Sequence, residues 1–189
     1  VQKVIEFLSS HGEIPFSTLL KLQDISELKT VEANVQLDKL GKIPSKLYLV
    51  ISGAIRCYIT SESGKEHNKN FFFPFSFAGS LTALINKEPA KIVYETLSEC
   101  KLYEIDFYEF MKLAKTDNNI SNLYARLLEQ VFIKNEKRQL ELISMDASER
   151  YQRLKEDMPN IDKLIPQYHI ASYLSITPVQ LSRIRKKLK

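Results

Sequence analysis

The chain is poor in the residues that staple, ligate or anchor a protein. Its two cysteines, Cys57 and Cys100, lie far apart, each in an apolar, strand-like context. A disulfide framework is not expected from them; buried free thiols in a reducing compartment are. Three histidines, His11, His67 and His169, are too few and too scattered to converge with a carboxylate on a metal. No apolar run is long enough to span a bilayer and nothing resembles a secretory leader, so no membrane association and a cytoplasmic location are expected. No internal repeat, low-complexity tract or nucleophile–base pair stands out, so neither enzymatic activity nor a cofactor is expected. Val1 in place of a methionine indicates a trimmed or incomplete start.

Acid is missing from the end of the chain. None follows Asp162, whereas Lys163, Arg183, Arg185, Lys186, Lys187 and Lys189 do. From Ala147 onward there are nine Lys or Arg against four acids, so the whole net charge of +4 belongs to this part. Nucleic acid is the natural partner for such a potential. The pattern agrees. Pro166 suits the first turn of a helix in which Ile170, Ala171 and Leu174 form an apolar face with one small residue. Ser175-Ile176-Thr177 is a break, with Ser175 where a glycine is often found. Thr177 is an N-cap and Pro178 opens the next helix. Leu181, Ile184 and Leu188 are expected on its buried stripe. Thr177, Gln180, Ser182, Arg183, Lys186 and Lys187 are left for double-stranded DNA. Two short helices around a tight turn, the second polar and basic outside, form a helix-turn-helix pattern. Gln and Arg can contact adenine and guanine edges in pairs, and lysines supply the phosphate term.

Earlier in the chain, Val4, Ile5 and Leu8 precede His11-Gly12, and Phe16, Leu19, Leu20 and Leu22 follow Pro15, which reads as helix in part. From about Lys29 to Asp106 short strands alternate with turns. Leu47–Ile51 is a buried-strand run ending at Ser52-Gly53. Ile55, Cys57 and Ile59 share one face of the next strand, and Ser61–Lys65 is a hairpin turn. Pro74 between two Phe clusters marks a bend or edge, and Ile92–Ile105 holds two more strands. The many short strands predict a sandwich or small barrel. Phe107–Ala114 is a short helix. Ile120–Met145 is one long helix without Gly or Pro, on which Leu123, Leu127, Val131, Leu142 and Met145 recur at three- and four-residue steps. Lys134, Asn135 and Arg138 interrupt that seam, which reads as a dimer interface with a polar middle. Asp146–Glu149 is a capping box that starts a further helix with Tyr151 and Leu154.

The order barrel, short helix, long helix, hinge, helix-turn-helix resembles the CRP/FNR superfamily of bacterial transcription regulators over essentially the whole chain. Leu47–Gly53, Ser61–Lys65, Phe77–Leu81 and the helix Pro178–Leu188 carry the resemblance. It implies an α+β protein. Residues 1–116 would be a cyclic-nucleotide-binding-like β-barrel (a double-stranded β-helix), 117–145 a long dimerisation helix through Leu123, Leu127, Val131 and Leu142, and 146–189 a helical helix-turn-helix domain. It also implies a homodimer on inverted-repeat DNA, with RNA polymerase and an unknown small-molecule effector as further partners.

In cyclic-AMP-binding members a Glu after the loop glycine holds the ribose, and an Arg-Ser pair some ten residues on holds the phosphate. This chain has Gly79-Ser80-Leu81 and Ala90-Lys91 there. The bidentate cation and the sugar acceptor are both gone, so the pocket is degenerate and cyclic AMP is not expected; Lys91 could restore charge but not the fork. Two cysteines are too few for an iron–sulfur sensor. In the reading helix the family's second arginine falls on Arg183, while its preceding Arg-Glu pair falls on Pro178-Val179, so the operator read must differ. Many members continue past this helix into a β-hairpin wing, whereas this sequence stops at Lys189; either the wing is dispensable in this branch or the sequence is short of it. The alternative is a small-molecule-binding β-barrel module or cupin-like enzyme with no specific DNA target.

Overall fold

Leu47–Ile51, the longest apolar run, lies in β3 (Lys46–Ser52) of the computed structural model, which describes residues 2–188. Val1 and Lys189, on which the reading of a trimmed start and one terminal charge fall, lie outside the described residues. Leu47, Tyr48, Leu49 and Val50 are all buried, as an unalternating apolar run requires. β3 sits inside a four-stranded sheet in the order β1-β8-β3-β6, with β1 Ser26–Val31, β6 Ser76–Ala78 and β8 Cys100–Asp106. Every pairing in it is antiparallel. A second sheet runs β2-β7-β4-β5, with β2 Gln36–Asp38, β4 Ile55–Thr60, β5 Glu66–Phe72 and β7 Val93–Thr96.

Register is set by chemistry as well as pattern. Lys46 faces Asp106 across β3 and β8, and their side chains pair at 3.1 Å. The same carboxylate accepts from the Tyr108 and Glu109 amides, which starts α4 (Phe107–Ala114). Gly53 ends β3 because nothing else fits: φ is 88°, and a β-carbon there would collide with the Glu99 carbonyl and the Cys100 sulfur. Pro74 follows the end of β5, and Phe75 takes a left-handed φ of 63° while donating its N–H to Val50. Ile55, Cys57 and Ile59 share one face of β4 as expected, but burial does not follow that face. Ile59 is 47% exposed, whereas Ile55, Arg56, Cys57 and Tyr58 are all buried. Both faces are covered there because the Arg56 guanidinium is neutralised by Glu95 at 2.8 Å. Cys57 and Cys100 are both buried and are not joined in a disulfide.

Two helices precede the strands, α1 (Gln2–Ser9) and α2 (Phe16–Asp24). A third, α3 (Leu81–Asn86), interrupts them between β6 and β7 and has no counterpart in the sequence reading. Leu84, Ile105, Phe107, Phe110 and Ile120 close one core with Leu47 and Leu49. Ile120 belongs to α5 (Asn118–Ser144), a helix of 27 residues.

Contacts divide the chain into two compact units. One runs up to Arg56 and takes in Phe71–Phe132; the other joins Cys57–Asn70 to everything from Ile133 onward. The second unit thus holds the β4–β5 hairpin, the end of α5 and four more helices. These are α6 (Ala147–Asp157), α7 (Ile161–Leu164), α8 (Gln167–Tyr173) and α9 (Pro178–Lys187). α6 starts at the Asp146/Glu149 capping box. Tyr151, Leu154, Ile161, Ile170, Ala171, Leu174 and Leu181 form its buried interior.

Candidate nucleic-acid interface and ligand pocket

α8 and α9 are joined by a turn that only a left-handed residue can make, and Ser175 supplies it at φ 59°. Thr177 then caps α9. Its hydroxyl accepts from the Gln180 amide at 3.2 Å, and the Gln180 side chain returns to the Thr177 amide at 2.8 Å. Gln180 Oε1 also accepts from the Thr177 hydroxyl at 3.1 Å. The oxygen that a bidentate adenine contact needs is therefore already used, and Thr177 and Gln180 shape the start of the helix. Leu181 is fully buried and anchors α9. The expected apolar stripe is shorter than its sequence suggests. Ile184 is half-buried, and Leu188, at the C-terminal end, is 42% exposed. Ser182, Arg183, Lys186 and Lys187 all face solvent. Arg185 is turned inward, 3.8 Å from Asp162, which also accepts from the Tyr151 hydroxyl at 2.7 Å.

The C-terminal end of α8 is held by side chains distant in sequence. Its Tyr173 carbonyl accepts from Arg138 Nη2 at 2.6 Å, and Leu174 accepts from Arg150 Nη2 at 3.1 Å. Two guanidinium groups thus satisfy carbonyls that a helix end leaves open. The Arg138 guanidinium also stacks 4.1 Å from the Tyr173 ring centre and pairs with Glu141 at 3.2 Å. On the other side of α8, Asn68 Nδ2 donates to the His169 carbonyl and to His169 Nδ1, both at 3.1 Å. The carbonyl can only accept, so the amide nitrogen is correctly placed and Nδ1 is the acceptor. The Asn68 amide donates to Ser172 Oγ, and Ser172 donates to the Glu66 carbonyl. His169 is thus a buried packing residue, and His67 is exposed.

The expected dimerisation residues divide. Leu123 is 3% exposed, so it presents nothing to a partner. Leu127 is half-buried, while Val131 and Leu142 are about half exposed. Phe132 (66%), Ile133 (61%), Leu140 (60%), Ile143 (83%) and half-buried Leu128 are apolar groups that the sequence reading missed. At about 100° per residue, Phe132 lies half a turn around the helix from Leu123. Leu128, Phe132, Asn135, Gln139 and Leu142 follow steps of four and three and make one seam. Arg138 is not the polar interruption it resembled; it serves α8.

Of Gly79, Ser80, Leu81, Ala90 and Lys91, the residues expected to form the degenerate pocket, three have occupied backbone amides: Ser80, Leu81 and Ala90. The Ser80 amide donates to Asp38 Oδ2 at 2.7 Å, and the Leu81 amide to Gly79 at 2.9 Å. Ala90 exchanges both backbone bonds with Gly41 and Lys42. Asp38 is 4% exposed, and burial pushes its carboxyl up to about 6 against the opposing pull of the Ser80 N–H. Lys91 is exposed, so it supplies no buried cation. A cleft of about 500 Å³ opens elsewhere, between residues 11–14 and the first turns of α5; Arg126 and Glu129 line it.

With this geometry in place, residues 28–117 match the cyclic nucleotide-binding domain family. Over nearly its full length the chain has the fold of the CRP/FNR regulators. It resembles the c-di-GMP-responsive global regulator CLP of Xanthomonas campestris at 17% identity and a TM-score of 0.72, covering 92% of this chain and 91% of that one. FixK2 of Bradyrhizobium japonicum has the same identity and TM-score, over 87% and 84%. A CRP/FNR-family transcriptional regulator of Eubacterium rectale is 15% identical with a TM-score of 0.72, over 92% and 83%. Among curated proteins no sequence matches this chain. No helix of the described residues is long and apolar enough to cross a membrane.

Proposed function

We propose that the protein is a cytoplasmic transcription regulator of the CRP/FNR type that binds inverted-repeat DNA as a homodimer, and that its barrel does not take cyclic AMP. The observation that carries this reading is the outer face of α9. Ser182, Arg183, Lys186 and Lys187 stand exposed on a helix fixed from behind by Leu181, with α8 clamped beside it. Arg183 suits a guanine edge; Lys186 and Lys187, further along, suit phosphates. The α5 seam supports pairing of two copies, with Phe132 and Leu142 as apolar knobs and Asn135 and Gln139 as its polar middle. Two α9 helices about a dimer axis should enter successive major grooves, so half-sites should lie about ten base pairs apart.

The occupied amides at Ser80, Leu81 and Ala90 and the buried Asp38 support the second part. A cyclic phosphate there would meet a carboxylate and find no free backbone donor on these three residues. Selection from random duplexes tests the main reading. An inverted repeat should emerge, and Arg183→Ala should weaken binding by about 1–3 kcal/mol and relax one position per half-site. An unchanged selected sequence in that variant would refute the assignment of the reading helix.

A further inference from the structure

The stripe that α9 offers is not uniformly polar. Val179 is 61% exposed and occupies the second position of the helix, one turn before Arg183. At about 100° per residue, Val179, Ser182, Arg183 and Lys186 fall on one face, opposite the buried Leu181. The outward face thus begins with a branched apolar side chain and continues into hydroxyl and cationic groups. Gln180, the neighbour that could have covered that tip with a polar group, has its acceptor oxygen held by Thr177. Pro178 carries no N–H and is also exposed.

We infer that Val179 reads a thymine through its C5-methyl group. This rests on the proposed DNA-binding role of α9. Among the groups that base pairs expose in the major groove, the thymine methyl is the apolar one, and apolar contact is how side chains distinguish it. The exposed basic charges of α9, Arg183 and Lys186 on the same face and Lys187 beside it, match a polyanion and no apolar protein groove. A helix rises about 1.5 Å per residue, so Val179 and Arg183 sit about 6 Å apart, roughly two base steps. The half-site should therefore carry a thymine within two base pairs of the guanine contacted by Arg183.

The test uses the full chain and the duplex selected from a random pool. Replacing the thymine by deoxyuridine removes the methyl and leaves every hydrogen-bonding group in place. Wild type should bind the deoxyuridine duplex about three- to fivefold more weakly, the worth of about one buried methyl. Val179→Ala sits on an exposed helical turn where alanine is favoured, so folding is retained. That variant should bind the thymine duplex more weakly by a similar factor and be indifferent to deoxyuridine. Equal binding of the two duplexes by wild type, or persistent sensitivity in Val179→Ala, overturns the inference. If the inverted repeat and its dependence on Arg183 survive that result, only the role of Val179 falls; if no sequence is selected at all, the DNA-binding reading falls with it.

Discussion

Replacing Arg138 by methionine should weaken the C-terminal unit far more than a change at a partly exposed helical position ordinarily does. The guanidinium makes a 2.6 Å bond to the Tyr173 carbonyl, a 3.2 Å pair with Glu141 and a 4.1 Å stack on the Tyr173 ring. The Arg138 side chain is 18% exposed and that of Glu141 10%. A charge-assisted bond contributes about 1.5–3 kcal/mol, and stranding the partner of a buried pair costs about 3–5. These effects share one group and do not add, and residual solvent screens the pair, so Arg138→Met should cost about 3 kcal/mol. Methionine preserves the stem, which isolates the polar loss from the packing loss. Glu141→Leu added to it removes the stranded carboxylate, and the double variant should recover to within about 1.5 kcal/mol of wild type, the remainder being the Tyr173 carbonyl. Urea unfolding gives both differences, and hydrogen exchange at the α8 and α9 amides localises them. A single variant within 1 kcal/mol of wild type, or a double variant no more stable than the single, refutes the capping argument.

The raised Asp38 carboxyl, about 6 against an ordinary 3.8, means that the folded state holds its proton more tightly. Stability should be greatest below about pH 4 and fall as pH rises to about 6, by at most about 3 kcal/mol. Asp38→Asn keeps an acceptor for the Ser80 amide and should flatten that slope in urea titrations at several pH values, with the variant the more stable one at pH 7.5. Ser175→Gly relieves a left-handed serine and should raise stability by about 1 kcal/mol, while Ser175→Val should lower it; thermal melts decide. Phe132→Asp should abolish the proposed dimerisation without unfolding the protomer, because Phe132 is 66% exposed; sedimentation at low concentration that still shows a dimer places the interface elsewhere.

What the sequence determined by itself was local or periodic. The Asp146/Glu149 box, the Thr177-Pro178 helix start, the bend at Pro74 and the helix Phe107–Ala114 involve partners within a few residues, so propensity and capping chemistry identify them. The unbroken apolar run in β3 likewise announces its own burial. Periodicity on α5 is insufficient, because two apolar stripes share that helix; Ile120 is buried in the core with Leu47 and Leu49 and Leu123 is 3% exposed, whereas Phe132 is 66% exposed. Arg138 looked like a flaw in a seam until the Tyr173 carbonyl, 35 residues away, appeared beside it. Asn68 and Ser172 are 104 residues apart, and no pattern within either segment indicates that they bond. The pocket's lost arginine was readable as an absence, but that Asp38 already holds the Ser80 amide was not, since the two are 42 residues apart. Local hydrogen bonds and helical period are properties of neighbouring residues, whereas the choice of face and the partner of a buried polar group are settled only when distant segments pack together.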